Sequence, residues 1–223
     1  MKSSLVTTMF IDGQSVAGQG ETLAVVDPAT GQTLVSMAEA SDAQIVAAAA
    51  AAQRAFEGWS RTPPRDRAAA LLRMADRVES HAEELAALES RNCGKPRAAV
   101  LADEIPAVAD VFRFYAGATR CMTGSATNEY LPGFTSMIRR DPIGVIASIA
   151  PWNFPLMMAA WKLAPALAAG NTVVLKPSEL TPLTTVRFAE LVADILPPGV
   201  FNVLFGRGPN VGAPLVARPE VRM

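Results

Sequence analysis

Short apolar runs alternate with longer amphipathic segments through the last third of the chain. Runs bounded by turn residues predict buried strands, and segments with apolar positions at helical spacing predict helices. The resulting β-α-β-α-β-α order predicts an α/β fold with a parallel sheet covered on both faces. In such sheets, ligands bind where strands end and helices begin. The predicted elements are strands at 144–150, 172–176 and 201–205, and helices at 156–169, at 183–195 and from about Asn210.

The first 120 residues have a different pattern, in which β-prone runs precede three helical stretches. Turn dipeptides of the Asp-Gly and Asp-Pro type indicate strands and hairpins up to about residue 40. Pro106 lies inside the third helical stretch, where it marks either a kink or the true start of the helix. The predicted helices run from an N-cap at Ser41 to about Gly58, from Pro64 to a stop at Gly94, and over 98–119.

A polar run precedes the first strand of the parallel sheet. The run at 134–140 ends in two arginines and lies next to a very apolar strand, which suggests an edge or an arm beside the sheet. The sequence is therefore divided into three parts. Residues 1–127 are predicted to form N-terminal strands and helices, 128–143 a β-arm, and 144–223 a β-α-β domain.

Composition limits the classes of partner. Half of the 223 residues are hydrophobic, which is enough for one large core or two modest ones. Only 18% are charged and the net charge is -1, which argues against nucleic acid as a partner. The most apolar region, 143–175, is interrupted by prolines and asparagines. It predicts buried strand and helix, and no membrane span.

Two cysteines and one histidine leave few options for thiol or metal chemistry. Cys93 and Cys121 are too few for a disulfide framework, and with no recognisable signal peptide they indicate free thiols in a reducing cytoplasm. Cys93 lies at a helix C-terminus, where the dipole disfavours a thiolate, and no base lies near either cysteine. His81, in a charged helical stretch, is interpreted as a surface residue, and no metal site is predicted.

Asn153 is the first candidate for chemistry. It lies between a buried strand and an apolar helix, and Pro151 and Pro155 restrict the backbone on either side of it. An amide N–H fixed at the end of a strand can stabilise a developing oxyanion. The alternative is a loop asparagine that satisfies backbone groups.

Lys176 and Glu179 form the second candidate site. A strand as apolar as 172–175 should not end in lysine unless the charge has a partner or a wet cleft. A lysine and a glutamate three residues apart can both reach the hydroxyls of one ribose. The acidic residue favours NAD over NADP, because it repels a 2′-phosphate. The alternative is a surface ion pair.

Two further features are weaker signals. Small residues at 206–212, among them Gly208 and Gly212, would let the backbone approach a phosphate, although a plain turn explains them equally well. Lys162 is one charge in an otherwise apolar helix. It is either an internal ion-pair partner or a side chain whose end reaches solvent.

Taken together, these segments resemble the aldehyde dehydrogenase superfamily in their order and spacing. The resemblance covers nearly the whole chain and corresponds to the N-terminal half of the family, with the betaine-aldehyde and aminobutyraldehyde branch closest in appearance. The segments that carry it are 149–155, 161–171, 176–182 and 198–203, together with Asp27-Pro28-Ala29-Thr30-Gly31 and Asn92-Cys93-Gly94-Lys95-Pro96.

The resemblance implies a Rossmann-like fold, NAD as cofactor, a small aldehyde as substrate and a homo-oligomer joined through the arm. It also implies that residues 1–127 belong to the cofactor domain and that 144–223 are a partial NAD-binding domain, with the catalytic domain absent. Asn153 would be the oxyanion-hole amide, and Lys162 would support the catalytic network. Gly208 and Gly212 would lie near the adenine and the pyrophosphate. The residues implied at the nicotinamide are Ile149, Ala150, Pro151, Trp152 and Asn153, and those implied at the adenosine ribose are Lys176, Pro177, Ser178 and Glu179.

The chain departs from the family where the covalent chemistry would occur. The family continues into a strand and a Phe-Thr-Gly-Ser turn, and later supplies a general-base glutamate and a nucleophilic cysteine, none of which is found here. We therefore expect a fragment that is inactive on its own. The neighbouring strand would keep an unpaired edge, and the isolated chain would aggregate. The alternatives are a non-catalytic nucleotide-binding or interaction module, and an acylating or phosphate-reducing relative.

Overall fold

Strands and helices alternate along most of the chain in the computed structural model, which describes residues 5, 7–124 and 127–223. The strands are β1 (Met9–Ile11), β2 (Gln14–Val16), β3 (Thr22–Val26), β4 (Thr33–Ala38), β5 (Asn128–Leu131), β6 (Phe134–Ser136), β7 (Val145–Ile149), β8 (Thr172–Lys176) and β9 (Phe201–Val203). The α-helices are α1 (Asp42–Trp59), α2 (Pro64–Ser80), α3 (Ala82–Cys93), α4 (Arg97–Ala99), α5 (Ile105–Arg120), α6 (Pro155–Ala168), α7 (Leu183–Leu191) and α8 (Ala213–Val216). Two π-helical turns lie at Val100–Glu104 and Gly208–Gly212.

The main sheet has the strand order β2-β1-β9-β8-β7. Strands β7, β8 and β9 are parallel, which confirms the predicted α/β fold with a parallel sheet. The N-terminal hairpin joins the same sheet as an antiparallel extension, because Phe10 of β1 pairs with Val203 of β9. No local pattern predicts this pairing, since it joins segments almost 200 residues apart.

The free edge of β7 is shorter than expected. The amide of Ala147 donates to the carbonyl of Met223 (2.7 Å), and the amide of Arg222 donates to Val145 (2.9 Å). Val221 also forms a parallel bridge with Val145. The expectation that this strand keeps an unpaired edge is therefore wrong for its first half.

Several predicted helices have different bounds. The N-cap at Ser41 is confirmed, since its side chain accepts a hydrogen bond from the amide of Gln44 as part of a capping box. The helix predicted from Pro64 to Gly94 is two helices, because His81 leaves the helical conformation between α2 and α3. Gly94 ends α3 in the left-handed conformation, which a glycine adopts without steric cost.

The third predicted helix is also divided. A π-helical turn separates α4 from α5, and Pro106 lies in the first turn of α5, so it marks the true start of that helix. Two other predicted elements are shorter in the structure. The helix predicted at 183–195 ends at Leu191, and the strand predicted at 201–205 ends at Val203.

The core lies between the main sheet and the helices. Buried apolar side chains form one cluster that extends from Met9 to Leu215, so the N-terminal elements and the β-α-β units share a core. Phe112 of α5 and Phe188 of α7 stack with ring centroids 5.6 Å apart. Among the described residues, no helix is long and apolar enough to cross a membrane.

The arm lies outside this core. Within the described part of the chain, strands β5 and β6 pair only with each other, and all of their residues are exposed. The strand predicted at 134–140 is shorter, ending at Ser136, and Arg139 instead forms an ion pair with Asp141.

Candidate functional site

The C-terminal ends of β7 and β8 bring the first predicted site residues together. Ile149 and Lys176 are register partners, and the amide of Ala150 donates to the carbonyl of Lys176 (3.0 Å). Ala150 is buried, whereas the Ile149 side chain is 43% exposed. The turn that carries Asn153 therefore begins directly beside the end of β8.

The turn from Pro151 to Phe154 is held through the carbonyl of Trp152. That carbonyl accepts from the Thr181 hydroxyl (2.9 Å) and from the Cys93 thiol (3.1 Å). The residues of the turn are exposed, and Pro155 opens α6. The side-chain amide of Asn153 makes no hydrogen bond with the part of the chain that is described, so it is not occupied in capping its own backbone.

Lys176 is buried, and its ammonium group has protein partners. Nζ donates to the carbonyls of Pro177 and Gly206 (both 2.8 Å) and lies 3.4 Å from the carboxylate of Glu179. Burial lowers the pKa of Lys176, and Glu179 opposes that shift. The longest of the three contacts is the one to Glu179, whose side chain is one-third exposed.

The other two residues of this loop differ in burial. Pro177 is buried, and the Ser178 hydroxyl accepts from the amide of Leu180 (3.3 Å). Among the described residues of the loop that follows β8, Glu179 therefore carries the carboxylate that a ligand at this strand end could reach.

The glycine-rich segment meets the same strand ends. A Cβ added to Gly212 would lie 3.4 Å from Cδ1 of Ile149 and 3.5 Å from Cδ of Lys176, so these three residues lie close together. Gly208 has open space around it. The structure thus brings Ile149, Lys176 and Gly212 together and leaves the backbone at Gly208 accessible.

Lys162 projects from α6 towards a groove beside β7. The groove, of about 520 Å³, is also lined by Ile146, Ser148 and Asn171. Lys162 is half-buried and forms no ion pair within the described ranges. The predicted alternative of an internal ion pair is therefore not the arrangement found.

The thiols and the histidine lie in unremarkable surroundings. Burial raises the pKa of Cys93 to about 11, and the nearby carboxylate of Glu89 adds to the shift. Cys121 is exposed. His81 is half-buried, with Nδ1 3.0 Å from the carbonyl of Arg77. Over the described ranges, no cluster of histidine, cysteine and carboxylate side chains has the composition of a metal site.

Glu39, which sequence reasoning missed, is the most densely bonded carboxylate near these strand ends. It follows β4 and is 2% exposed, and it accepts from Arg207 and Asn210 of the glycine-rich segment. Its pKa is lowered to about 2, chiefly by the hydrogen bonds from Arg207. A single carboxylate at a strand end carries no signal in the sequence.

Parallel strands with polar side chains and glycines at their C-terminal ends are typical of ligand-binding α/β proteins. The aldehyde dehydrogenase family model matches residues 15–223, and the chain belongs to that family. It is 46% identical to a fluoroacetaldehyde dehydrogenase of Streptantibioticus cattleyicolor over 203 residues, 91% of this chain and 40% of the relative. It is also 46% identical to a phenylacetaldehyde dehydrogenase of Pseudomonas fluorescens, over 96% of this chain and 44% of the relative.

The solved structures agree. The NAD+ complex of an aldehyde dehydrogenase from Bacillus cereus superimposes with a TM-score of 0.92 at 40% identity, over 96% of this chain and 44% of that one. The chain therefore spans less than half the length of each of these three relatives. Relatives that act on fluoroacetaldehyde and on phenylacetaldehyde are equally similar to it, so identity does not indicate the betaine-aldehyde branch.

Proposed function

We propose that these residues form part of the NAD site of an enzyme that oxidises an aldehyde to a carboxylic acid. One observation carries the proposal. The turn that bears Asn153 begins at the end of β7, directly beside Lys176 at the end of β8, and Gly212 lies close to the same strand ends. In a parallel sheet this is where a dinucleotide binds. The NAD+ complex of the Bacillus cereus relative supports the same choice of cofactor.

Lys176 and Glu179 are suited to a ribose with two free hydroxyls. The Glu179 carboxylate is accessible and makes only a 3.4 Å contact with Lys176, so a ribose hydroxyl can donate to it without breaking a short bond. A 2′-phosphate at the same place would meet a negative charge. We therefore propose NAD as the preferred cofactor.

Asn153 supplies the second element of the proposed chemistry. Its exposed amide can donate to an aldehyde oxygen as that oxygen gains negative charge during oxidation. Pro151 and the hydrogen-bonded carbonyl of Trp152 restrict the backbone of the turn that carries this amide. We assign Lys162, in the groove beside β7, a supporting role in the same region.

Among the described residues, Cys93 is unsuited to act as the nucleophile. The raised pKa of Cys93 leaves it protonated at neutral pH, and a thiol in that state is a poor nucleophile. We therefore propose that this chain supplies part of the cofactor site and the oxyanion donor, and that it does not oxidise aldehydes by itself. The alternative function is a nucleotide-binding module without chemistry.

Saturation-transfer NMR between the chain and NAD tests the proposal, because it detects weak binding. We expect weak binding, since β7 is paired along only its first half. NAD should give a stronger signal than NADP, and Glu179→Gln should reduce that preference. Glu57→Gln is the matched control, because Glu57 is exposed on α1. If neither nucleotide receives saturation from the wild-type chain, the proposed cofactor site is refuted.

Aldehyde oxidation, followed as NADH formation, separates the two functions. We expect no turnover by these 223 residues with any aldehyde. Turnover would contradict the proposal that this chain does not oxidise aldehydes by itself. Turnover by a longer protein that contains this sequence would favour the dehydrogenase, and NAD binding without turnover there would favour the module.

A further inference from the structure

Glu39 is a buried carboxylate that accepts hydrogen bonds from several donors. It receives the amide of Arg207 (2.6 Å), Nε and Nη2 of the Arg207 side chain (3.2 and 2.7 Å) and Nδ2 of Asn210 (3.0 Å). Both donor residues belong to the segment 206–212. Four donors on one carboxylate use nearly all of its acceptor capacity.

The backbone at Glu39 is equally fixed. Its amide donates to the carbonyl of Glu21 (2.9 Å), and its carbonyl accepts from the amides of Gln19 and Gly20 (3.1 and 2.8 Å). The next residue, Ala40, donates to Phe205 (2.8 Å). The carboxylate therefore projects from a rigid part of the β3–β4 hairpin.

The contacts continue from the segment 206–212 to Lys176. The carbonyl of Gly206 accepts from Lys176 Nζ, and a Cβ on Gly206 would lie 3.1 Å from Oε1 of Glu39. The Glu39 carboxylate therefore lies next to Gly206, and Gly206 lies next to the ammonium group of Lys176. Gly206 also has a φ of 149°, so its conformation and the lack of space both exclude a side chain.

We propose that Glu39 is a positioning residue of the cofactor site, which fixes the segment 206–212 against the end of β8 so that Gly212 and Lys176 keep their places. The proposal rests on the proposed function. An ionised carboxylate is required because an amide has only one acceptor oxygen, and its NH₂ group would face the N–H groups of Arg207 and Asn210. Glu39 contacts the segment 206–212, so its effect on the proposed cofactor site would act through that segment.

Arg207 has a further partner that provides a control. Its Nη2 also contacts the carboxylate of Glu21, which is 66% exposed. Exposed ion pairs contribute little, because solvent screens them. Glu21→Gln therefore changes the charge beside the same guanidinium without removing the buried acceptor.

Hydrogen–deuterium exchange tests the positioning role without any ligand. Two amides report on the segment: Arg207, which donates to Glu39, and Val211, which donates to the carbonyl of Arg207. In Glu39→Gln, we expect both to exchange about tenfold faster while helix α5 is unchanged, as for local opening. Glu21→Gln should resemble the wild type. Unchanged exchange at 206–212, or a uniform increase over the whole chain, would overturn the proposal.

A milder variant covers the case in which Glu39→Gln does not fold. Asn210→Ala removes one of the four donors from a residue that is itself exposed. It should accelerate exchange at 206–212 by a smaller factor and leave α5 unchanged. Glu39→Asp retains the charge but shortens the side chain, and we expect it to recover part of the protection. A segment as protected in Asn210→Ala as in the wild type would count against Glu39 as its anchor.

NAD binding separates the failure of this inference from the failure of the proposed function. If the wild type binds NAD, Glu39→Gln should lose most of that binding at a temperature where it remains folded. Equal binding by both proteins would refute the inference. If the wild type does not bind NAD but exchange at 206–212 still depends on Glu39, the proposed function fails, and Glu39 is an anchor of the loop only.

Discussion

At the scale of the residue, burial determines the protonation of the Cys93 thiol. The thiol lies against the turn that bears Asn153, and its sulfur is 3.1 Å from the carbonyl of Trp152. Burial and Glu89 raise its pKa to about 11. The group is therefore protonated at neutral pH, which is the form that can donate to the carbonyl.

Alkylation of Cys93 should follow this raised pKa. In a Cys121→Ser variant, which leaves Cys93 as the remaining thiol, we expect the rate with iodoacetamide to rise about tenfold per pH unit from pH ~8 to pH ~10, because only the thiolate reacts. Intact-mass spectra over time measure the rate. A rate that levels off near pH ~9, as for an ordinary thiol with a pKa of about 8.5, would contradict it.

Glu39 should make stability depend on pH in the acid range. Its pKa of about 2 in the folded chain lies below the ordinary 4.5, so the folded state binds the proton more weakly than the unfolded state. The stabilisation is present above pH ~4.5 and is lost as the pH falls towards ~2. Since solvent around Arg207 screens the pair, we expect a contribution of roughly 2 kcal/mol.

Urea unfolding at several pH values measures this contribution. The difference in unfolding free energy between the wild type and Glu39→Gln should shrink as the pH falls from ~5 to ~3. Glu57→Gln, which changes an exposed carboxylate, serves as the control. A difference that is constant over this range would show that the Glu39 charge does not contribute.

At the scale of the element, a buried asparagine joins β9 to the N-terminal hairpin. Asn202 accepts from the amide of Asp12 (2.9 Å) and donates to the carbonyls of Gly199 and Val173 (2.7 and 3.4 Å). Asp12 has a positive φ of 51° in the turn between β1 and β2. The side chain therefore fixes the hairpin where it extends the sheet.

Asn202→Ala should destabilise the chain by about 2–3 kcal/mol, because it leaves buried backbone groups without partners. The midpoint of urea unfolding should fall while its slope is unchanged. Asn128→Ala, in the exposed strand β5, is the matched control and should have almost no effect. A loss of less than about 0.5 kcal/mol for Asn202→Ala would show that the hairpin does not depend on this side chain.

The elements that could be predicted are those with local signals. Strand β8 is an apolar run bounded by turn residues, and α6 begins at Pro155, so sequence and structure agree there. The pairing of β1 with β9 could not be predicted, because it depends on contacts between distant segments. The break at His81 was missed since the apolar spacing of α2 continues into α3 without a glycine or a proline.

The residues of the candidate site also differ in whether a local sequence signal predicts them. Lys176 could be singled out because a charge after an apolar strand is conspicuous, and Asn153 because prolines flank it. Glu39 could not, since it reaches the site through Arg207, which is 168 positions away in the chain. The roles of Asn153, Lys162, Lys176 and Glu179 stay predictions that the binding experiments test.

At the scale of the whole molecule, the arm is the most exposed apolar surface among the described residues. Tyr130, Leu131, Phe134 and Met137 are between 65% and 76% exposed. Exposed apolar side chains clustered in this way mark an interaction surface. The second half of β7, at Ser148 and Ile149, is a separate site where a strand could pair.

Self-association through the arm can be distinguished from association through β7. We expect the chain to sediment as oligomers or aggregates, and a Leu131→Ser, Phe134→Ser, Met137→Ser variant to shift towards the monomer, because burial of these side chains would be lost. Leu72→Ser, in an exposed position on α2, is the control. If sedimentation velocity shows the same distribution for the arm variant as for the wild type, association does not depend on the arm, and the unpaired half of β7 becomes the surface to test. A wild-type chain that is monomeric with a sharp cooperative melt would refute both routes.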